Sequence, residues 1–395
     1  MKLIYVLVQI QRRCFVGGLC QFYSKSIGII LDDILRDHIQ PNISLMKQSF
    51  IIKMSVLITI FMFAAGLVNS IFSIVTFQNK ETRKFNFIER IFNPIETSFN
   101  QPKLSSSACW DPHTVTLTTD VEVEFVPVRI FVDRKNTIYV TDIYNEAVHV
   151  WRQDTNATMK TTIKTSFKPF YSFTDNDGYI FTSISEGSVM KWSLNTVEAV
   201  IVIRTESECF GLSIDIKNNL YCSLSIEHRV VRQTLDVDSS TPITVAGTGK
   251  AASTSDALYN PRGIFLSINL DLYVADCSNN RVQLFEHGQK NGVTVAGKDK
   301  LLSITLSCPT SVFLDENNNI FILDSGNGRI MRSTSQGFDC VVGCSAITGS
   351  ASHQMHGPLE AVFDTFGNIF IADFGNDRIQ KFQLTKNISG KLNKQ

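Results

Sequence analysis

The chain has 395 residues, of which 44% are hydrophobic and 19% charged, a balance that excludes an intrinsically disordered protein. Lys+Arg and Asp+Glu both number 37, so the net charge is zero. That argues against a dedicated nucleic-acid binder, which carries a basic surplus to displace counterions.

Residues 1–54 form an N-terminal tail to which no role is assigned. The run from Ser55 to Phe77, SVLITIFMFAAGLVNSIFSIVTF, has no charged residue and is long enough to span a bilayer as a helix of about 20 residues. Lys47 and Lys53 precede it, and Lys80, Arg83 and Lys84 follow. Three readings compete: a signal anchor of a single-pass membrane protein, a cleaved secretory signal, and a buried soluble helix. The first two place everything after it outside the cytosol, with membrane contact through residues 55–77 in the first. Residues 78–107, with Pro94, Pro102 and the run Ser105-Ser106-Ser107, read as a linker or stalk.

From residue 108 to 385 the chain repeats itself. The clearest unit is PRGIFLSINLDLYVADCSNNRVQLFE, beginning at Pro261. Further copies begin at Pro309, Pro358 and Pro127, with two degenerate ones from Tyr171 and Phe210. One landmark closes the first strand of each copy: Asp133, Asp175, Asp215, Ser267, Asp315 and Asp364, at intervals of 42, 40, 52, 48 and 49 residues. This period suits a four-stranded propeller blade. In the Pro261 copy, strand a is Gly263 to Ser267, b is Leu272 to Asp276 and c is Arg281 to Phe285. Separate apolar runs supply strand d: Ile243 to Ala246, Val293 to Ala296, and Ser345-Ala346-Ile347. The sixth copy has no such run after Phe382. Thr114 to Thr118 has no blade of its own, and is expected to close the ring as strand d of the last blade, removing two sheet edges. Blade two lacks the turn Asn and Arg altogether and is expected to be irregular. Residues 386–395 read as a flexible C-terminal tail.

The P-x-G-I opening (Pro261, Gly263, Ile264), the Y-V-A-D strand (Tyr273 to Asp276), the N-N-R-V turn (Asn279 to Val282) and the V-A-G exit resemble the NHL-repeat family. The resemblance covers about 280 residues and implies an all-β, six-bladed propeller, here preceded by one N-terminal transmembrane or signal helix. Asp142, Asp276, Asp324 and Asp373 end strand b, followed three residues on by Asn145, Asn279, Asn327 and Asn376, with Arg281, Arg329 and Arg378 opening strand c. A short carboxylate accepts bonds from loop amides, and Asn tolerates left-handed backbone, so these are turn residues and not catalytic carboxylates.

In a propeller the b–c turns and the d–a loops share one face. By fold analogy, ligands sit there at the mouth of the central channel. That face collects Arg129, His228, Arg262, His353, His356 and Leu359 as candidate binding residues, together with Cys277 and Cys308; His287, Cys340 and Cys344 are expected on the other face. His353 and His356, with His228, are also weak candidates for a zinc site with an open position. The resemblance implies the same, since some propellers of this type are zinc lyases acting on peptidyl-glycine derivatives; their full ligand pattern finds no match here. No cofactor is expected otherwise, with Zn or Ca as the ions to test.

Cysteine neighbours suggest bridges Cys209–Cys222, Cys277–Cys308 and Cys340–Cys344, leaving Cys109 over. Asn42, Asn156 and Asn387 head glycosylation sequons, of which Asn156 and Asn387 follow the linker. No Walker A loop, G-x-S-x-G or H-E-x-x-H is present, and no Cys/His array precedes the repeats. The leading expectation is a non-catalytic, monomeric binding module that recognises a protein, peptide or glycan on the ring face. The alternatives are a metal-dependent lyase or lactonase-type hydrolase at the channel, and an RNA-binding NHL domain, which the neutral charge opposes.

Overall fold

A computed structural model of the chain describes residues 100–387, apart from short stretches at 118–124, 155–156, 176, 195, 237–240, 298–303 and 346. The apolar run 55–77, the preceding tail, and the sequon residues Asn42 and Asn156 lie outside the described residues. Among the described residues no helix is long and apolar enough to cross a membrane.

Six antiparallel four-stranded sheets follow one another along the chain. Blade 1 runs Pro127–Val132, Ile138–Asp142, Ala147–Asp154 and Ala157–Lys164; blade 4 runs Pro261–Leu266, Leu272–Asp276, Arg281–Phe285 and Val293–Ala296. Strands a and b are buried almost throughout, because both their faces pack on neighbouring blades. Phe313, Phe321 and Phe363 meet edge-on or stacked at 4.8 to 5.5 Å between blades 5 and 6, and Phe131, Phe173 and Phe181 do the same between blades 1 and 2 at 5.2 to 6.3 Å.

The landmark residue caps the turn between strands a and b, as an Asx turn in five repeats and through the Ser267 hydroxyl, which accepts from Asp271 N at 3.1 Å, in blade 4. Asp133 Oδ1 accepts from the amides of Lys135 and Thr137 at 2.8 Å, and Asp215, Asp315 and Asp364 accept in the same way from the residues two and four positions on. The ring closes as expected: Val115–Leu117 pairs with strand c of blade 6, Val115 opposite Lys381 and Leu117 opposite Ile379.

On the opposite end of strand b, the carboxylate of each strong repeat staples the preceding loop. Asp276 Oδ2 accepts from Asn279 Nδ2 and Arg281 Nε, both at 2.8 Å, while Arg281 donates to the carbonyls of Ser253, Thr254 and Ala257. Asp324 with Asn327 and Arg329, and Asp373 with Asn376 and Arg378, repeat the clip. In blade 1, Ala147 stands where the arginine would be, and His149 Nε2 takes its place 3.1 Å from Asp142 Oδ2, with Asn145 in its usual role.

Blade 2 has the four strands Pro169–Thr174, Tyr179–Ile184, Ser188–Ser193 and Thr196–Arg204, and the register between its strands c and d shifts twice, between Thr196 and Val200 and between Ile201 and Ile203. Its b–c turn needs no Asp–Asn–Arg clip because Gly187, at φ +76°, makes the turn and lies against the backbone of Thr205 and Ser207, where a Cβ would not fit. In blade 5, strand d is Gly337–Val342 and not the run at Ser345. A two-residue turn, Ser335-Gln336, pairs Thr334 directly with Gly337, so the hairpin returns at once and the apolar run falls in the next loop. Cys340 therefore lies within strand d and Cys344 on the loop leading to blade 6, not in a c–d loop on the far face.

Among the described residues there are three disulfides, Cys209–Cys222, Cys277–Cys308 and Cys340–Cys344, with Cys109 free and exposed. Three bridges in one domain point to an oxidising, extracytosolic environment.

The segment from Asn100 onward, read from sequence as the end of a stalk, packs along the a–b side of the ring. Asn100 Nδ2 donates to the carbonyls of Val132 and Phe363 at 3.0 Å, joining the ends of strand a in blades 1 and 6. Leu104, Ala108 and Trp110 are buried against blades 5 and 6, and the Trp110 indole donates to Gly367 O at 2.8 Å. Cys109–Trp110 then pairs with Leu384–Lys386 in a small extra sheet. Asn387 is held by Ser105 N and Lys103 O, so this sequon sits beside that segment with its side chain exposed.

Candidate functional site

Strand a begins on the face of the b–c turns and runs down the inside of the ring. Aligned on the first residue, its second position reads Val128, Phe170, Phe210, Arg262, Thr310 and Leu359; the third reads Arg129, Tyr171, Gly211, Gly263, Ser311 and Glu360. In blades 1 to 5 the pairing of strand a with strand b slips at this point, skipping Val128, Phe170, Phe210, Arg262 with Gly263, and Thr310. A bulge of this kind breaks the ladder and re-aims side chains, which is why bulges gather at functional rims. Hydroxyls on strand b steady the next blade at the same level: Thr141 donates to Phe170 O at 3.2 Å, Ser183 to Cys209 O at 3.0 Å and Ser223 to Arg262 O at 2.5 Å.

Arg129 fills the channel below this rim and is 1% exposed. It donates to Leu359 O in blade 6 and, from Nη2, to Phe210 O in blade 3 at 3.2 Å. Its guanidinium carbon lies 5.8 to 5.9 Å from the ring centres of Phe170, Tyr171 and Phe210. The facing carboxylate is Glu360, whose Oε2 is 3.9 Å from Arg129 Nε; both of these atoms lack a hydrogen-bond partner, while Ser311 donates to Glu360 Oε1. Burial pushes the Glu360 carboxyl up to about 7, against the opposing pull of Arg129 and the Ser311 hydrogen bond.

Arg262 sits at the rim itself, half-buried, with its guanidinium 4.5 Å from the centre of the Phe210 ring. Phe210 in turn meets Phe170 edge-on at 4.7 Å, so one aromatic pair touches both arginines. Burial, and then repulsion by Arg129, lower the Arg262 pKa to about 10, which Glu208 partly offsets; the group stays charged at neutral pH. Its Nε has no hydrogen-bond partner.

The ring-face residues picked from sequence therefore divide. Arg129, Arg262 and Leu359 come together at the channel. The histidines do not join them. His228 occupies the left-handed turn position at φ +52° that Asn280 fills in blade 4 at φ +53°, and its Nδ1 accepts from Asn260 N as Asn280 Oδ1 accepts from Cys308 N. His356 binds the loop through its amide to Asp373 Oδ1 at 2.7 Å and through Nδ1 to Gly375 O. His353 is exposed beside His113, with ring centres 6.3 Å apart. Among the described residues no three His, Cys, Asp or Glu side chains stand together as a metal-holding group.

Sequence reasoning missed Phe170, Phe210 and Glu360. The aligned strand openings held the signal for them: a second position that is twice Phe, once Arg and once Thr is not the uniform aliphatic pattern of a packed layer.

No family model and no curated protein matches the chain. Solved structures do. A streptogramin B lyase is matched at TM-score 0.51 and 12% identity over 69% of this chain and 98% of that one. A Bacteroides thetaiotaomicron protein of unknown function is matched at TM-score 0.55 and 15% identity, over 73% and 74%. An auxiliary nutrient binding protein of Bacteroides ovatus is matched at TM-score 0.54 and 12% identity, over 74% and 76%. At such identities these likenesses establish the propeller fold alone.

Proposed function

We propose that this chain is a non-catalytic binding module of NHL type that acts outside the cytosol and takes a protein, peptide or glycan ligand at the mouth of its central channel. The observation that carries this is the asymmetry of the ring's two ends. One end is crossed by the segment at Asn100, which ties blades 1 and 6 together. The other presents a rim of half-buried aromatics and a stacked arginine, the residue types that carry binding energy in recognition sites. Exposed Tyr144, Ile226, Tyr259 and Phe374 lie on loops of the same face and extend the apolar surface available to a macromolecule. The disulfides support the compartment, and the run 55–77 would deliver the propeller there as an anchor or as a cleaved signal.

The test is a selection of displayed random peptides and an immobilised glycan panel against the full chain expressed in a secretory cell. Ligands recovered with the native protein should lose binding to Phe210→Asp and keep it with Phe366→Asp, which changes the opposite face. Ligands indifferent to Phe210 would refute the site.

A second reading, a lyase or hydrolase, rests on the Glu360 carboxyl near neutrality within the channel, a range suited to a general acid or base. It requires substrate turnover that Glu360→Gln abolishes.

A further inference from the structure

We infer that the channel mouth takes a single carboxylate, seated on Arg262, with an apolar or aromatic group of the same ligand lying against Phe170 and Phe210. This rests on the reading of the mouth as the binding site and gives that site its ligand chemistry.

The argument starts from what Arg262 lacks. A half-buried guanidinium that has given up part of its hydration normally recovers it in hydrogen bonds or an ion pair. Arg129, one layer down, does so through two backbone carbonyls and Glu360. Arg262 has a stacking contact with Phe210 and no hydrogen-bond acceptor for its buried Nε. Arg262 as a whole is still partly exposed, and a planar guanidinium matches a carboxylate with two parallel bonds.

The charges set the ligand's valence. Two guanidiniums, Arg129 and Arg262, share the mouth with two carboxyls, Glu360 below and Glu208 beside the rim. With two carboxyls facing two guanidiniums the mouth has no large cationic surplus, so it suits one carboxylate better than a phosphate dianion. The Phe170–Phe210 pair then provides the apolar wall that holds the rest of the ligand, and the Thr310 hydroxyl, in the adjoining blade, is already engaged in donating to Pro358 O.

The test uses the full chain with N-acetylphenylalanine, N-acetylphenylalaninamide and inorganic phosphate, titrated by calorimetry. The acid should bind in the millimolar range or tighter and at least about tenfold more tightly than the amide or phosphate. Arg262→Gln should erase the preference for the acid, and Arg262→Lys should retain part of it. Circular dichroism checks that each variant is folded. Equal binding of acid and amide, a preference that survives Arg262→Gln, stronger binding of phosphate, or no binding of the acid overturns the inference. If acid and amide bind equally and Phe210→Leu weakens both, the mouth remains the site and only the carboxylate falls. If neither Phe210→Leu nor Arg262→Gln changes any binding, the site itself falls with it.

Discussion

Cys277 lies in the b–c turn of blade 4 and Cys308 in the loop opening blade 5, so their bridge joins two blades on the mouth face across a sequence separation of 31 residues. Cys340 and Cys344 close only 4 residues, all within blade 5 and the loop that leaves it. If a bridge acts mainly by restricting the unfolded chain, the loop-length relation gives about 4 kcal/mol for the first and about 2 kcal/mol for the second. The Cys209–Cys222 bridge, at 13 residues, falls between them at about 3 kcal/mol. Paired Cys→Ser variants of the oxidised full chain, compared by urea denaturation followed by tryptophan fluorescence, should therefore lose stability in that order. Calcium or zinc should not rescue them. The result that would refute the reasoning is an inverted order, with loss of the short Cys340–Cys344 loop costing most. The bridges would then act through native packing, and the chain-entropy argument would have no hold here.

Three further outcomes follow from the same geometry. Arg281→Met leaves Asp276 without its cation and three loop carbonyls without a donor, so it should cost about 3–5 kcal/mol by denaturation, and more than Arg378→Met, whose arginine is more exposed. Gly263→Ala should cost about 1–3 kcal/mol or more, because the new Cβ would lie 2.6 Å from Thr310 O and 2.9 Å from Ser311 Cα, both backbone atoms of blade 5. Glu360 binds its proton more tightly in the folded chain, near 7 against 4.5 unfolded, so its contribution to stability is full below about pH 4.5 and is lost as pH rises through 7. The native chain minus Glu360→Gln should accordingly show a stability difference that moves by about 3 kcal/mol between pH 4.5 and 8, and a flat difference would contradict the burial of that carboxyl.

The repeat was legible because each blade must solve the same turn problems with the same chemistry. Asp133, Asp215, Asp315 and Asp364 accept the same two amides, so one residue marks one blade. The Asp276–Asn279–Arg281 clip repeats for the same reason. The ring closure was legible by elimination, since Thr114 to Thr118 had no sheet of its own. Three parts were not. The strand Gly337–Val342 was hidden because Ser335-Gln336 is a tight turn without Gly, Asn or Asp at its centre. The packing of Asn100, Leu104 and Trp110 rests on partners more than two hundred residues away, such as Phe363 and Gly367, which no local pattern reports. The mouth was half legible: Arg129, Arg262 and Leu359 stand at strand openings, whereas Phe170 and Phe210 stand out only once the second positions of all six openings are aligned. His228 misled in the opposite direction, because a histidine in a left-handed turn reads as a ligand when it is filling an asparagine's place.

The central claim is that ligand is taken at the channel mouth formed by the bulged openings of strand a. Hydrogen-exchange mass spectrometry on the full chain, with and without a ligand recovered by selection, tests it most directly. The account predicts added protection in peptides covering 169–172, 209–212 and 261–264, with the a–b turns at 133–137 and 364–368 unchanged. Protection confined to those turns, or to the outer strands d, would contradict it.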